Sequence, residues 1–475
     1  MALISSGTLA RVPAAARPLV TPGTVRTGIV HLGLGAFHRA HQAVYTEAAV
    51  AGGGGDWGIA AVAPRSTDVV DALRAQDLLF SVTSLASTGN ATRVIGAFSE
   101  VLHAASGPEA VISKIADPGV RVLTLTVTEK AYLLDPVTGR LLATALPGTV
   151  PDLLLRGLEA RRRADAGPLA VVSCDNLPSN GRRTRSLVEQ LCPDGPLADW
   201  IAASVTFPGT MVDRIVPAST PGTLAAAEAA LGVRDLAAVG AEPYQQWVIE
   251  DDFPGGRPAW EKAGAILTDD AGPWERLKLR ALNGVHSGIA YLGALAGRDT
   301  VASALEMPGM REVMCRFIAD DVAGSLAPPP GVTVVAYGDS VLERFADPAI
   351  AHRTVQVAKD GSQKLPQRVL HTIADRRAAG ASPRWAVLVV AAWMRYAQGV
   401  ADDGSALPLD DPLAEEIRTA LSGARTPSDV VAALLGLEAV FPRELAADEV
   451  VRTLCVDWLE ALTRHGAADT LAGAA

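Results

Sequence analysis

Lysine is scarce in this chain: six among 475 residues, against 36 arginines. Where only positive charge is wanted, the chain writes Arg. Each lysine therefore draws attention for what Arg does not do, which is to lose its proton near neutral pH. Cysteine is scarcer still. The four, Cys174, Cys192, Cys315 and Cys455, lie far apart and form no CxxC pair. This excludes a disulfide framework and a thiolate zinc site, and a reducing cytoplasm is the expected location. No apolar run approaches the 18 residues of a membrane span. The longest, Trp385–Met394, is ten residues and reads as a buried helix. Basic stripes are absent and the net charge is −10, so neither nucleic acid nor membrane is expected as a partner.

The first 25 residues carry Arg11 and Arg17 but no acidic residue, and they lack the apolar core of a signal peptide. Ser and Arg are too sparse there for a transit peptide, and the segment reads as a surface arm. Apolar residues make up 49% of the chain, ample for the cores of two or three domains. In the first half, short apolar runs alternate with helical stretches. Gly28–Leu32, Gly58–Ala63, Val120–Val127 and Leu169–Ser173 read as strands, and Thr46–Ala51 and Asp68–Ala75 as helices. That alternation predicts an α/β fold with a parallel, doubly wound sheet. From Trp274 onward Ala and Leu dominate with helical period. The turn Thr268-Asp-Asp-Ala-Gly-Pro273 separates a dinucleotide-binding domain over 1–270 from a mostly α-helical substrate domain over 271–475. No internal repeat is evident.

The most informative string is Trp274-Glu-Arg-Leu-Lys278-Leu-Arg-Ala-Leu-Asn283-Gly-Val-His286-Ser. On an α-helix Lys278, Asn283 and His286 fall within about 140° of one another and converge on one bound molecule. A lysine that gives up a proton, an amide that donates to an oxygen gaining charge and an imidazole that bonds a hydroxyl form a proton-transfer set. An exposed polar helix face is the plain alternative. At the other end, Gly33-Leu-Gly35-Ala-Phe-His38 follows the first strand and opens a helix. Two glycines let the backbone turn and approach a pyrophosphate, while His38 replaces the third glycine of the dinucleotide fingerprint. Beyond the second strand stand Arg65 and Asp68. The carboxylate suits the ribose of NAD and the guanidinium a 2′-phosphate, and the balance favours NAD over NADP.

With both ends in view, the chain resembles the long-chain polyol-specific dehydrogenases, the mannitol dehydrogenase and fructuronate reductase family, from about residue 28 to the C-terminus. The resemblance rests on Gly33–Gln42, Thr128-Glu-Lys-Ala-Tyr132, Ser173-Cys-Asp-Asn-Leu-Pro-Ser-Asn-Gly181, Phe207–Pro217, Gln246–Asp251, the Lys278/Asn283/His286 spacing and Asp360-Gly-Ser-Gln-Lys364. It implies a Rossmann-type N-terminal domain, a helical C-terminal domain, NAD(H), no metal, and a monomer or weak oligomer. The fructuronate reductase (D-mannonate oxidoreductase) branch is the most similar, through Glu129-Lys130, His352–Arg368 and Trp393–Gly399. Ala131 stands where that branch usually has Gly, and its methyl narrows the expected site.

The resemblance implies hydride transfer to a ketose-type carbonyl, interconverting D-fructuronate and D-mannonate. Lys278 is then general acid and base, its pKa lowered by burial. Asn283 and Asn176 donate to the oxyanion, with Asn180 the rival in the same loop, and His286 orients a hydroxyl. Asp213, Lys364, Lys130 and Arg368 are the substrate contacts. Glu275 relays protons. Gly33, Gly35, Ala36, Phe37, Asp68, Arg65, Thr128 and Glu129 surround the cofactor. Simpler readings stand beside these: an Asp213–Arg214 ion pair, a solvated Glu275 and a surface Lys130. For the carboxylate of a uronate, Lys130 is the first candidate, and Lys364, Arg368 and Arg353 are its rivals. A dehydrogenase for mannitol, arabinitol or tagaturonate is the alternative within the class. A catalytically idle dinucleotide sensor is the alternative outside it.

Overall fold

In the computed structural model, residues 1–135, 139–142 and 147–475 are described, and they form two compact units, Met1–Gly272 and Pro273–Ala475. The first unit holds twelve strands: β1 (Thr27–Leu32), β2 (Gly58–Ala63), β3 (Phe80–Ser84), β4 (Ala91–Ile95), β5 (Phe98–His103), β6 (Val122–Leu125), β7 (Leu169–Ser173), β8 (Val205–Thr206), β9 (Thr210–Asp213), β10 (Val239–Ala241), β11 (Gln246–Glu250) and β12 (Ile266–Thr268). Six of them form the central sheet in the order β5-β2-β1-β6-β7-β8, every pairing parallel. β2 and β7 are buried at every residue and apolar but for Ser173, because helices bury both faces of a parallel sheet. Alternate residues feed two cores. Ile29, Ala61, Val122 and Val172 enter one, and Val30, Val62, Leu123 and Val171 the other. The strand order reverses between β1 and β6, and the C-terminal edge at such a reversal is where open α/β sheets take ligands.

Two three-stranded sheets, β10-β3-β4 and β12-β11-β9, accompany the parallel sheet, and each contains one antiparallel pair. Neither sheet is signalled in the sequence, because β10 and β12 have three residues each and show no period. The N-terminal arm is also more than a surface segment. Ile4, Val12 and Ala16 are buried against Leu79, Val94, Leu231 and Val233. Its backbone is held by Arg234, whose oxygen accepts from the Ile4 N–H at 2.8 Å.

The second unit is helical. Val285–Leu295 is buried at every residue and packs against Arg384–Tyr396, which contains the apolar run Trp385–Met394. Among the described residues no helix is long and apolar enough to cross a membrane. One local feature departs from the sequence reading. Helix Gly272–Leu277 continues into a π-helical segment, Lys278–Gly284, before regular α geometry resumes at Val285. Two more π segments follow, Phe317–Val322 and Pro366–Leu370. They meet the first at Gly284, where an added β-carbon would lie 2.8 Å from the Arg368 backbone oxygen and 3.3 Å from the Phe317 ring.

Candidate active site

The glycine turn is built as the fingerprint requires at two of its three positions. β1 ends at Leu32, and Gly33 takes φ +113°, where a β-carbon would sit 2.1 Å from the Thr126 carbonyl oxygen. The N–H groups of Gly33 and Leu34 both donate to Val62 O at 3.0 Å, pinning the turn to β2. Gly35 is exposed, and an added β-carbon would meet nothing closer than 3.7 Å. Its glycine is not needed for φ. Its missing side chain instead leaves the turn open ahead of helix Ala36–Ala40, whose first N–H groups, on Ala36 and Phe37, have no partner within the helix. An uncovered turn leading into helix N–H groups fits a pyrophosphate.

At the third position His38 lies flat on His31 of β1, ring centroids 3.3 Å apart and 9° from parallel. His31 is fixed by Thr124 Oγ1 at 2.8 Å and Thr126 Oγ1 at 2.9 Å. Close helix–strand packing, the usual task of the third glycine, is here achieved by two stacked imidazoles. Burial lowers both pKa values, that of His31 to about 3, so both rings are neutral.

Arg65 and Asp68 follow β2 and are exposed. Asp68 also opens helix Asp68–Arg74, where its charge meets the positive end of the helix dipole. Beyond β6, Thr128 has φ +71°, and Lys130 is exposed on a short turn. The side chain of Glu129 lies outside the described residues.

Asp175, absent from the residues the sequence singles out for the site, holds this loop. Its Oδ1 accepts the Thr128 N–H at 2.8 Å, and its Oδ2 accepts the Val127 N–H at 3.1 Å and the Tyr132 hydroxyl at 2.8 Å. Burial pushes its carboxyl above the ordinary range, and these hydrogen bonds pull it back. The available signal was a carboxylate at the C-terminal end of a buried parallel strand. Asn180 is committed to structure: its amide donates to Asp175 O at 3.1 Å and Thr210 O at 3.0 Å, and its oxygen accepts the Thr210 N–H at 2.9 Å. Asn176, in contrast, is exposed. Asp213 is buried at the end of β9. Its neighbour Arg214 directs its guanidinium to Glu242 O at 3.0 Å, Gln245 Oε1 at 2.9 Å and Ala40 O.

In the helical unit, Lys278 and Asn283 are each 6% exposed and His286 is 9% exposed. An i→i+5 turn sets Lys278 and Asn283 one wide turn apart, closer to alignment than α geometry would. Arg280, on the same segment, donates to Asp375 Oδ2 at 2.6 Å and Ser325 O at 2.7 Å, which anchors the turn. Glu275, three residues before Lys278, is half-buried. The His286 ring stacks on Phe345 at 4.5 Å and lies 4.9 Å from the His352 ring. Burial first, then His352, Arg368, Lys364 and Arg344, hold its pKa well below the ordinary value. Arg368 donates to Ser287 Oγ at 3.1 Å, and Lys364 to Lys359 O at 2.6 Å. The structure therefore groups Lys278, Asn283, His286, Lys364 and Arg368 in the helical unit. Asn176, Asp213 and Lys130 belong to the strand-containing unit. The described residues hold no group of three or more His, Cys, Asp or Glu placed to bind a metal.

A glycine turn at a sheet reversal, together with a buried lysine in a helical unit, defines a Rossmann-type dehydrogenase. Residues 27–262 match the mannitol dehydrogenase Rossmann domain and residues 270–462 the mannitol dehydrogenase C-terminal domain. The chain belongs to the mannitol dehydrogenase family and is an oxidoreductase. It is 40% identical over 447 residues to D-mannonate oxidoreductase of Escherichia coli, covering 90% of this chain and 92% of that one. It is 37% identical over 467 residues to mannitol 2-dehydrogenase of Cereibacter sphaeroides, covering 95% and 97%. Among solved structures, Pseudomonas fluorescens mannitol 2-dehydrogenase, in ternary complex with NAD and D-mannitol, superposes with TM-score 0.87 at 35% identity and 99% coverage of both chains.

Proposed function

We propose that this chain is an NAD(H)-dependent reductase interconverting D-fructuronate and D-mannonate. The observation that carries the reading is the burial of Lys278, one of only six lysines, one π turn from buried Asn283. The 40% identity to a D-mannonate oxidoreductase supports the sugar-acid substrate. The NAD-bound relative and the exposed carboxylate of Asp68 support NAD over NADP.

Gly33, Gly35, Ala36 and Phe37 would hold the pyrophosphate, Asp68 the adenosine ribose, and the Thr128–Glu129 loop the nicotinamide side. When bound, the nicotinamide supplies or accepts the hydride. The residues of this chain handle the charge and the proton. During reduction the carbonyl oxygen becomes an alkoxide, and the Asn283 amide donates to it. Asn176 is the candidate donor of the Rossmann unit. Lys278 gives the oxygen its proton and takes it back in the reverse reaction. Glu275 passes protons between Lys278 and solvent. His286, neutral, orients a neighbouring hydroxyl, and Asp213, Lys364 and Arg368 hold the rest of the sugar.

The mannitol 2-dehydrogenase relatives make a polyol dehydrogenase the second reading. A panel separates the two: D-fructuronate, D-tagaturonate and D-fructose with NADH, then D-mannitol and D-arabinitol with NAD. D-Fructuronate is expected to give the highest kcat/KM. A higher value for D-fructose or D-mannitol would replace the reading by the second.

A further inference from the structure

Two imidazoles are packed side by side in the helical unit, each with a buried nitrogen that lacks a hydrogen-bond partner among the described residues. These are His286 Nε2 and His352 Nδ1, on rings 4.9 Å apart. An unpaired buried polar atom costs free energy unless something arrives to bond it. Four elements converge here. His286 comes from helix Val285–Leu295, and Arg344 and Phe345 close helix Val334–Phe345. His352 lies just before helix Thr354–Val357, and Arg368 sits in the π segment Pro366–Leu370. After burial, the largest influences on His286 are His352, Arg368, Lys364 and Arg344, and all of them oppose a proton on it. Positive groups are thus gathered around neutral rings.

We infer that the His352–Arg344 side of this cluster is the subsite for the carboxylate of a sugar-acid substrate, with these two as its specificity-determining residues. The inference rests on the proposed sugar-acid activity and assigns the part of the substrate that a polyol lacks. A carboxylate brings two oxygens and about four acceptor sites. It takes an N–H from the neutral His352 imidazole and charge-assisted bonds from the Arg344 guanidinium. A neutral hexitol presents no charge to the arginines. Lys130, the first candidate from the sequence, is exposed on the strand-containing unit.

The test uses the full chain. H352L, R344Q and K130G are assayed with NADH for kcat/KM on D-fructuronate and D-fructose. NADH Kd and thermal unfolding are measured on each protein. The expected result is a fall of roughly 10–100-fold in the fructuronate-to-fructose ratio for H352L and R344Q, carried mainly by KM for D-fructuronate. H352N, whose amide keeps a donor where Nδ1 stands, and R344K, which keeps a charge, should retain most of the ratio and serve if the first pair folds poorly. Unchanged ratios in H352L and R344Q overturn the subsite, as does a selective loss confined to K130G. Wild-type protein that turns over neutral sugars but no sugar acid overturns the proposed function and the subsite together. Fructuronate turnover with unchanged variant ratios overturns the subsite alone.

Discussion

The α-carbon of Gly284 packs so closely on the backbone oxygen of Arg368 that an added β-carbon would stand 2.8 Å from it. This contact joins two π segments, one carrying Lys278 and Asn283 and the other Arg368. A π turn is less favourable than α geometry and persists where surrounding packing imposes it. G284A forces a methyl against a carbonyl and against Phe317, neither of which retreats easily. The expected cost is about 1–3 kcal/mol of stability, with kcat lowered more than NADH affinity. Chemical denaturation, stopped-flow turnover and NADH titration read these separately. Full turnover at unchanged stability would show that the contact does not position the lysine.

The two asparagines of the Cys-Asp-Asn loop should behave oppositely. Asn180 makes hydrogen bonds to Asp175 and Thr210, so N180A should lower the unfolding free energy by about 1–3 kcal/mol. N176A removes an exposed amide and should leave stability within about 0.5 kcal/mol while reducing kcat. The reverse pattern would exchange their roles.

D68A should narrow the preference for NADH over NADPH. Removing the carboxylate removes both a ribose acceptor and a charge that repels a 2′-phosphate. Arg65 then meets that phosphate. The ratio of kcat/KM for the two cofactors is the measurement, and an unchanged ratio would assign the choice elsewhere.

Glu47 gives the Rossmann unit a pH dependence. It is buried on helix Gln42–Gly53, its Oε1 accepts the Gly96 N–H at 2.7 Å, and burial pushes its pKa up to about 7. The folded state therefore binds this proton more tightly than the unfolded chain. Its contribution is present at low pH and is lost as pH rises from about 4.5 through about 7. The loss amounts to about 3 kcal/mol. Unfolding free energies of wild type and E47Q across that range should diverge by this amount, and a constant difference would contradict the assignment.

Much of this architecture was legible in the chain. β1, β2, β6 and β7 are short apolar runs closed by turn residues, and the signals for Gly33 and Gly35 are local. The buried helix over Trp385–Met394 follows from length and hydropathy alone. What escaped depends on contacts distant in sequence. The π turn at Lys278–Gly284 looks like α period until Arg368 and Phe317 are brought against Gly284. His38 read as a missing glycine because its partner, His31, sits across a strand–helix interface. Asp175 and His352 lie in strings that carry the resemblance, but nothing local assigns either a role. Their roles come from Thr128 and Tyr132 in one case and from His286 in the other.

The most direct measurement is turnover by K278A with D-fructuronate and NADH at neutral pH, beside a fluorescence titration of NADH. Loss of the proton donor should lower kcat by roughly 10²–10⁴. NADH affinity should stay close to that of the wild type, because the glycine turn lies in the other unit. Near wild-type turnover by K278A would contradict the account, and so would a loss explained entirely by failed NADH binding.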